Sequence, residues 1–76
     1  MNTRKPTPIE NALDALSYEY LSMEMPTLLE AIEQEMAQGC TPEQVFRKVL
    51  SHVSYERMAL ALRAKQAARH IERSAQ

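Results

Sequence analysis

The chain has 76 residues, 45% of them hydrophobic and 25% charged, with a formal net charge of −1, one glycine and one cysteine. A chain this short makes one domain that hides only roughly 60% of the surface its unfolded form exposes. A single cysteine excludes an internal disulfide framework, and no run approaches the roughly 18 consecutive apolar residues of a membrane span.

Residues 1–6 read as a flexible arm. The arm carries charge but no apolar segment behind it, so no secretory leader is expected there. A single helical domain is expected over residues 7–74. Thr7-Pro8-Ile9-Glu10 has the form of a capping box with proline at the first helical position, so the first helix starts at Pro8. Its buried stripe is expected to be Ile9, Ala12, Leu13, Leu16, Tyr20 and Met23, spaced by threes and fours. Tyr18, Leu21 and Met25 fall off that stripe, which makes this helix more apolar than one core face requires.

Pro26 ends or kinks the first helix, because it lacks an amide donor and crowds the preceding turn. Thr27-Leu28-Leu29-Glu30 repeats the capping-box pattern, giving a second helix from about Thr27 to Gln38 with Leu28, Leu29, Ile32 and Met36 facing inward. The chain then turns at Gly39, its only glycine and the one position free to take a left-handed conformation. Thr41 is the next N-cap, Pro42 the first helical residue and Gln44 the other half of a capping box. Val45, Phe46, Val49, Leu50 and Val53 form the third apolar face, with Phe46 expected at the centre of the core.

Ser51-His52-Val53-Ser54 contains weak helix formers, and Ser54 offers a cap for a new start at Tyr55. A continuous helix from Pro42 onward is the alternative. The last segment, Tyr55 to about Arg73, carries a seam of Leu60, Ala64, Ala67, Ala68 and Ile71, small enough for another helix to approach closely. Tyr55, Met58 and Leu62 lie on another side and continue into Lys65, Arg69 and Arg73. No alternating apolar/polar stretch with a hairpin turn occurs. The fold class is therefore all-α, with three or four short helices in an up-down bundle or hairpin, and dimerisation as an economical way to bury more surface.

Chemistry-bearing constellations are sparse. Cys40, His52 and His70 show no C-x-x-C, H-x-x-x-H or H-E-x-x-H spacing, so no metal site or cofactor is expected. Cys40 with His52 and Glu43 can be imagined as a nucleophile–base–acid set, and nothing in the spacing demands it. Carboxylate pairs such as Glu10 with Asp14 and Glu30 with Glu33 read as the polar faces of the first two helices. With one glycine, no phosphate-cradling loop is available. No enzyme activity is expected.

Charge is distributed unevenly. Residues 1–38 hold seven acidic against two basic residues, a net −5, and residues 39–76 hold seven basic against three acidic, a net +4. Either acidic and basic helices neutralise each other side by side, or one face is left for a charged partner. A helix-turn-helix reading around Gly39 places Glu35 and Lys48 where such motifs carry small or apolar residues. The acidic first half also repels phosphate.

Tyrosine and methionine suit interfaces. Tyr18, Leu21 and Met25 with Tyr55, Met58 and Leu62 are therefore the expected apolar anchors of a partner site, with Arg63, Lys65, Arg69 and Arg73 steering association. In size, composition and charge pattern the chain resembles the small regulators and inhibitors that phages and mobile elements encode, including anti-defence proteins. That resemblance implies a cytoplasmic, non-catalytic protein that binds and modulates a larger macromolecule, self-associating or docking on a protein. DNA binding through the basic C-terminal helices is the second expectation.

Overall fold

The computed structural model describes residues 5–75, the side chain of Tyr55 excepted. Residues 1–4 of the expected arm, and Tyr55 as an anchor, lie outside the described residues. Four α-helices follow in order, α1 (Pro8–Glu24), α2 (Pro26–Ala37), α3 (Pro42–Leu50) and α4 (Met58–Ser74), with a single 3-10 turn at Tyr55–Arg57. No strand occurs among the described residues. The Cα radius of gyration is 11.9 Å, close to the roughly 11 Å of a packed chain of this length. The all-α bundle is thus the architecture found.

Local chemistry sets the helix ends. Thr7 accepts from the Glu10 amide at 3.1 Å while its own amide donates to Glu10 Oε1 at 2.8 Å. Thr41 and Gln44 repeat this reciprocal pair at 3.2 and 2.8 Å. The third expected box does not form. Pro26 itself opens α2, with Met25 in its N-cap position and no side-chain cap, so Thr27 lies inside the first turn. A proline at the first helical position gives up only an amide that had no partner in any case. Pro26 therefore breaks the helix, with Met25 at φ −142° and ψ 60° between the two segments.

At the corner, Gly39 has φ +97°. Its amide donates to the Met36 carbonyl and the Cys40 amide reaches back to the Glu35 carbonyl, both at 3.1 Å. This is the crossed pair of a Schellman termination. A second break separates α3 from α4: the Arg57 amide bonds the Ser54 carbonyl at 2.8 Å, which starts the 3-10 turn at Tyr55. One continuous C-terminal helix is ruled out.

Packing centres on α4, which meets α1 and α3 most extensively. Asp14 pairs with Arg69 and Arg73, Ser17 with Gln66, and Tyr20 with Arg63. Positions rise along α1 as they fall along α4, so the two run antiparallel. Ala64, Ala67 and Ala68 of the expected seam are fully buried, its Leu60 and Ile71 are partly buried against the core, and Ala61, outside the expected seam, is buried too. Leu21, Leu29, Ile32 and Val45 fill the remaining core, with Leu28, Met36, Val49, Leu60 and Ile71 packed against it. Phe46 does not occupy the centre. It is half-buried, and the Lys65 ammonium lies 5.5 Å from its ring centroid. Val45, one position earlier, turns to the core instead.

The largest departure from the sequence reading is the rotation of α1. Its buried residues are Asp14, Ser17 and Leu21. Ile9, Leu13, Leu16 and Met23 of the expected inner stripe are exposed by 72, 47, 60 and 73%. Asp14, expected on the polar face, is only 2% exposed. The reason is electrostatic. Arg73 Nη1 lies 2.9 Å and Arg69 Nε 3.4 Å from Asp14 Oδ2, and Ser17 Oγ donates to Gln66 Oε1 at 2.6 Å. Polar partners on α4 thus hold Asp14 and Ser17 inward, and the leucines are left on the other face.

Two outcomes test this account. Replacing Arg69 and Arg73 together by alanine leaves Asp14 buried without a counter-charge, and we expect a loss of about 3–5 kcal/mol, read by urea denaturation. Gly39→Ala forces a side chain into the left-handed region and is expected to cost about 1–2 kcal/mol, read as a fall of about 4–8 °C in Tm per kcal/mol for a domain of this size.

Candidate interaction surface

An unbroken 4-3-4-3 spacing puts Ile9, Leu13, Leu16, Tyr20 and Met23 on one side of α1, the a/d spacing of a helical seam. The seam does not face the core. It adjoins Leu62 of α4, 46% exposed, and between the two helices lies a groove of about 380 Å³ lined by Leu13, Leu16, Ala59, Leu62, Arg63 and Gln66. The Arg63 guanidinium sits 4.0 Å from the centroid of the Tyr20 ring, a cation–π contact at the rim. Glu19 and Glu24 are exposed on the same helix.

The residues expected to anchor a partner divide between surface and core. Leu21 is fully buried, and Tyr18 and Met25 pack against the core cluster. The Tyr18 hydroxyl donates to Glu33 at 3.0 Å, and its ring stands 5.0 Å from that of His70. Leu21 therefore lies inside the core, while Tyr18 and Met25 are half-buried at its edge. Met58 is half-buried, and Leu62 is exposed at the groove.

Of the expected steering cations, Arg69 and Arg73 belong to Asp14 and so hold the fold. Lys65 pairs with Glu43 at 2.9 Å. Arg63 alone of this set stands beside the exposed seam. No local signal marked the seam as outward-facing, because an apolar helical period looks the same for a core face and a docking face.

Elsewhere, acidic and basic side chains neutralise each other within the chain. Lys48 Nζ meets Glu35 Oε2 at 2.7 Å, and Arg47 meets Glu43 at 3.6 Å. Lys48, with help from the Cys40 thiol, holds the Glu35 carboxyl below its ordinary range, and Lys65 does the same for Glu43. The Cys40 Sγ donates to Glu35 at 3.1 Å, which raises the thiol pKa and keeps it protonated, the less nucleophilic form. Its partners are Glu35 and Lys48; the imagined set with Glu43 and His52 is not built around it. A second groove of about 420 Å³ lies between α2 and α3, walled by Leu28, Ile32, Val45 and Val49.

Among the described residues, no group of three His, Cys, Asp or Glu side chains is placed to hold a metal ion. Among them, too, no helix is long and apolar enough to cross a membrane. Comparison with protein families, with curated proteins and with solved structures gave no match to this chain.

The electrostatics of the α2–α3 corner give a signed expectation. A carboxyl whose folded pKa is depressed stabilises the fold above its unfolded pKa, and that contribution is lost as pH falls through the folded value. Stability should therefore fall as pH drops below the ordinary carboxylate value of 4.5. Glu35→Gln should flatten that acid limb, and thermal melts from pH 7 to 3 measure it.

Proposed function

We propose that the protein is a small non-catalytic interaction module that binds a protein partner through the outer face of α1 and the adjoining edge of α4, and thereby modulates a larger macromolecular assembly. The observation that carries this reading is the exposure of Ile9, Leu13, Leu16, Met23 and Leu62 beside a core that closes without them. Burying one such side chain is worth about 1.5–3 kcal/mol. A helix that turns Asp14 and Ser17 inward while leaving this stripe in water forgoes a large stabilisation, unless something else covers it. Contiguous apolar surface rimmed by charge is the usual mark of a docking face. The reading places the protein with the small cytoplasmic regulators and inhibitors of phages and mobile elements that it resembles in style.

The alternative of DNA binding has less support. Arg47, Lys48, Lys65, Arg69 and Arg73 have carboxylate partners within the chain, and phosphate would have to compete with each of them.

Leu16→Glu and Met23→Glu test the docking face, because both sites are solvent-exposed in the folded chain. We expect Tm to stay within about 0.5 kcal/mol equivalent of the parent, while affinity for a captured partner drops at least about tenfold. Unchanged capture by both variants overturns the reading. Binding of nonspecific duplex DNA at low salt that weakens steeply with added salt would favour the DNA alternative instead.

A further inference from the structure

We infer that the occupant of the α1 face is a second copy of the same chain, bound antiparallel about a two-fold axis between Leu13 and Leu16. The inference rests on the docking-face reading above and names the partner. A seam of uninterrupted a/d spacing matches another helix better than a flat or irregular surface, because knobs at 3.5-residue intervals need holes at the same interval. Two-fold pairing is the commonest way for one patch to satisfy itself.

The flanking charges choose the direction. Counting Leu13 and Tyr20 as a positions and Ile9, Leu16 and Met23 as d positions, Ala12 and Glu19 fall at g, and Glu10, Ser17 and Glu24 at e. Parallel in-register pairing sets Glu19 against Glu24 of the second copy, acid against acid, which is destabilising. Antiparallel pairing with Leu13 opposite the second copy's Leu16 sets Ile9 against Tyr20, Ala12 against Glu19 and Glu10 against Ser17. No acid then opposes an acid.

That register adds an attraction. The e flank of α1 is the side towards α4, as the Ser17–Gln66 bond shows, and Arg63 of α4 stands on Tyr20. The layer opposite Tyr20 contains the second copy's Ile9, whose neighbour on the same flank is Glu10. Arg63 thus faces the Glu10 carboxylate, which also accepts from the Thr7 amide of its own chain, across the axis, and the symmetry repeats the pair.

The knobs also have somewhere to go, since the groove between Leu13, Leu16 and Leu62 lies beside the axis. The strip is about 25 Å long and 10–12 Å wide, smaller than the roughly 800 Å² per partner of a standard interface. The dimer is accordingly a weak, reversible one.

The test is sedimentation equilibrium of the full chain from about 1 μM to 1 mM, for the parent and for Leu16→Glu, with helicity checked by circular dichroism. We expect a monomer–dimer equilibrium in the parent and at least a tenfold weaker one in the variant. Direction is read by mixing Leu13→Cys with Leu16→Cys chains, each carrying Cys40→Ser. Heterodisulfides should dominate for the antiparallel register, whereas dominant homodisulfides overturn it.

A dimer unaffected by Leu16→Glu overturns the inference. So does a monomer throughout the range, and a soluble paramagnetic probe then separates the two readings. Methyl signals of Ile9 and Leu16 broadened by the probe leave the docking face standing without a second copy; protected methyls in a monomer remove both.

Discussion

Asp14 between Arg69 and Arg73 fixes how α1 lies on α4, and most of the remaining structure follows from that contact. A carboxylate only 2% exposed is unfavourable unless cations stand beside it. Two arginines one helical turn apart on α4 supply them, at 2.9 and 3.4 Å. The approach lacks aligned hydrogen-bond geometry at Oδ2, so the attraction is chiefly Coulombic. Each arginine remains about a third exposed, which keeps the guanidinium groups hydrated while their stems pack.

Once Asp14 points at α4, the rotation of α1 is set. Ser17 meets Gln66, Leu21 enters the core, and the a/d seam is carried roughly 110° around the helix into solvent. The face of α4 that meets α1 is the one carrying Arg63, Gln66, Arg69 and Arg73, while Ala64, Ala67 and Ala68 are buried in the core cluster with Leu21, Leu29, Ile32 and Val45. The same contact therefore holds the monomer together and exposes the surface assigned to a partner.

The α2–α3 corner works on shorter-range chemistry. A left-handed glycine, crossed carbonyl bonds and a Thr–Gln capping box reverse the chain within a few residues. The Glu35–Lys48 pair then closes the corner from outside. Across the two halves, Asp14 pairs with Arg69 and Arg73 and Glu35 with Lys48, and the apolar seam is the unusual feature of the surface.

The helical content, the caps at Thr7 and Thr41, the reversal at Gly39 and the alanine seam of α4 could be read in the sequence, because each depends on residues within about four positions of one another. The break at Pro26 could be read too, though not which residue would cap α2, since a proline-opened turn and a Thr27 box compete for the same few positions. What the sequence left open was which face of α1 turns inward. Periodicity counts apolar residues and is blind to a pair such as Asp14 with Arg73, separated by most of the chain. That choice is made only when α4 returns alongside α1, where burial of a charge, the Ser17–Gln66 bond and the reach of two arginines are decided together.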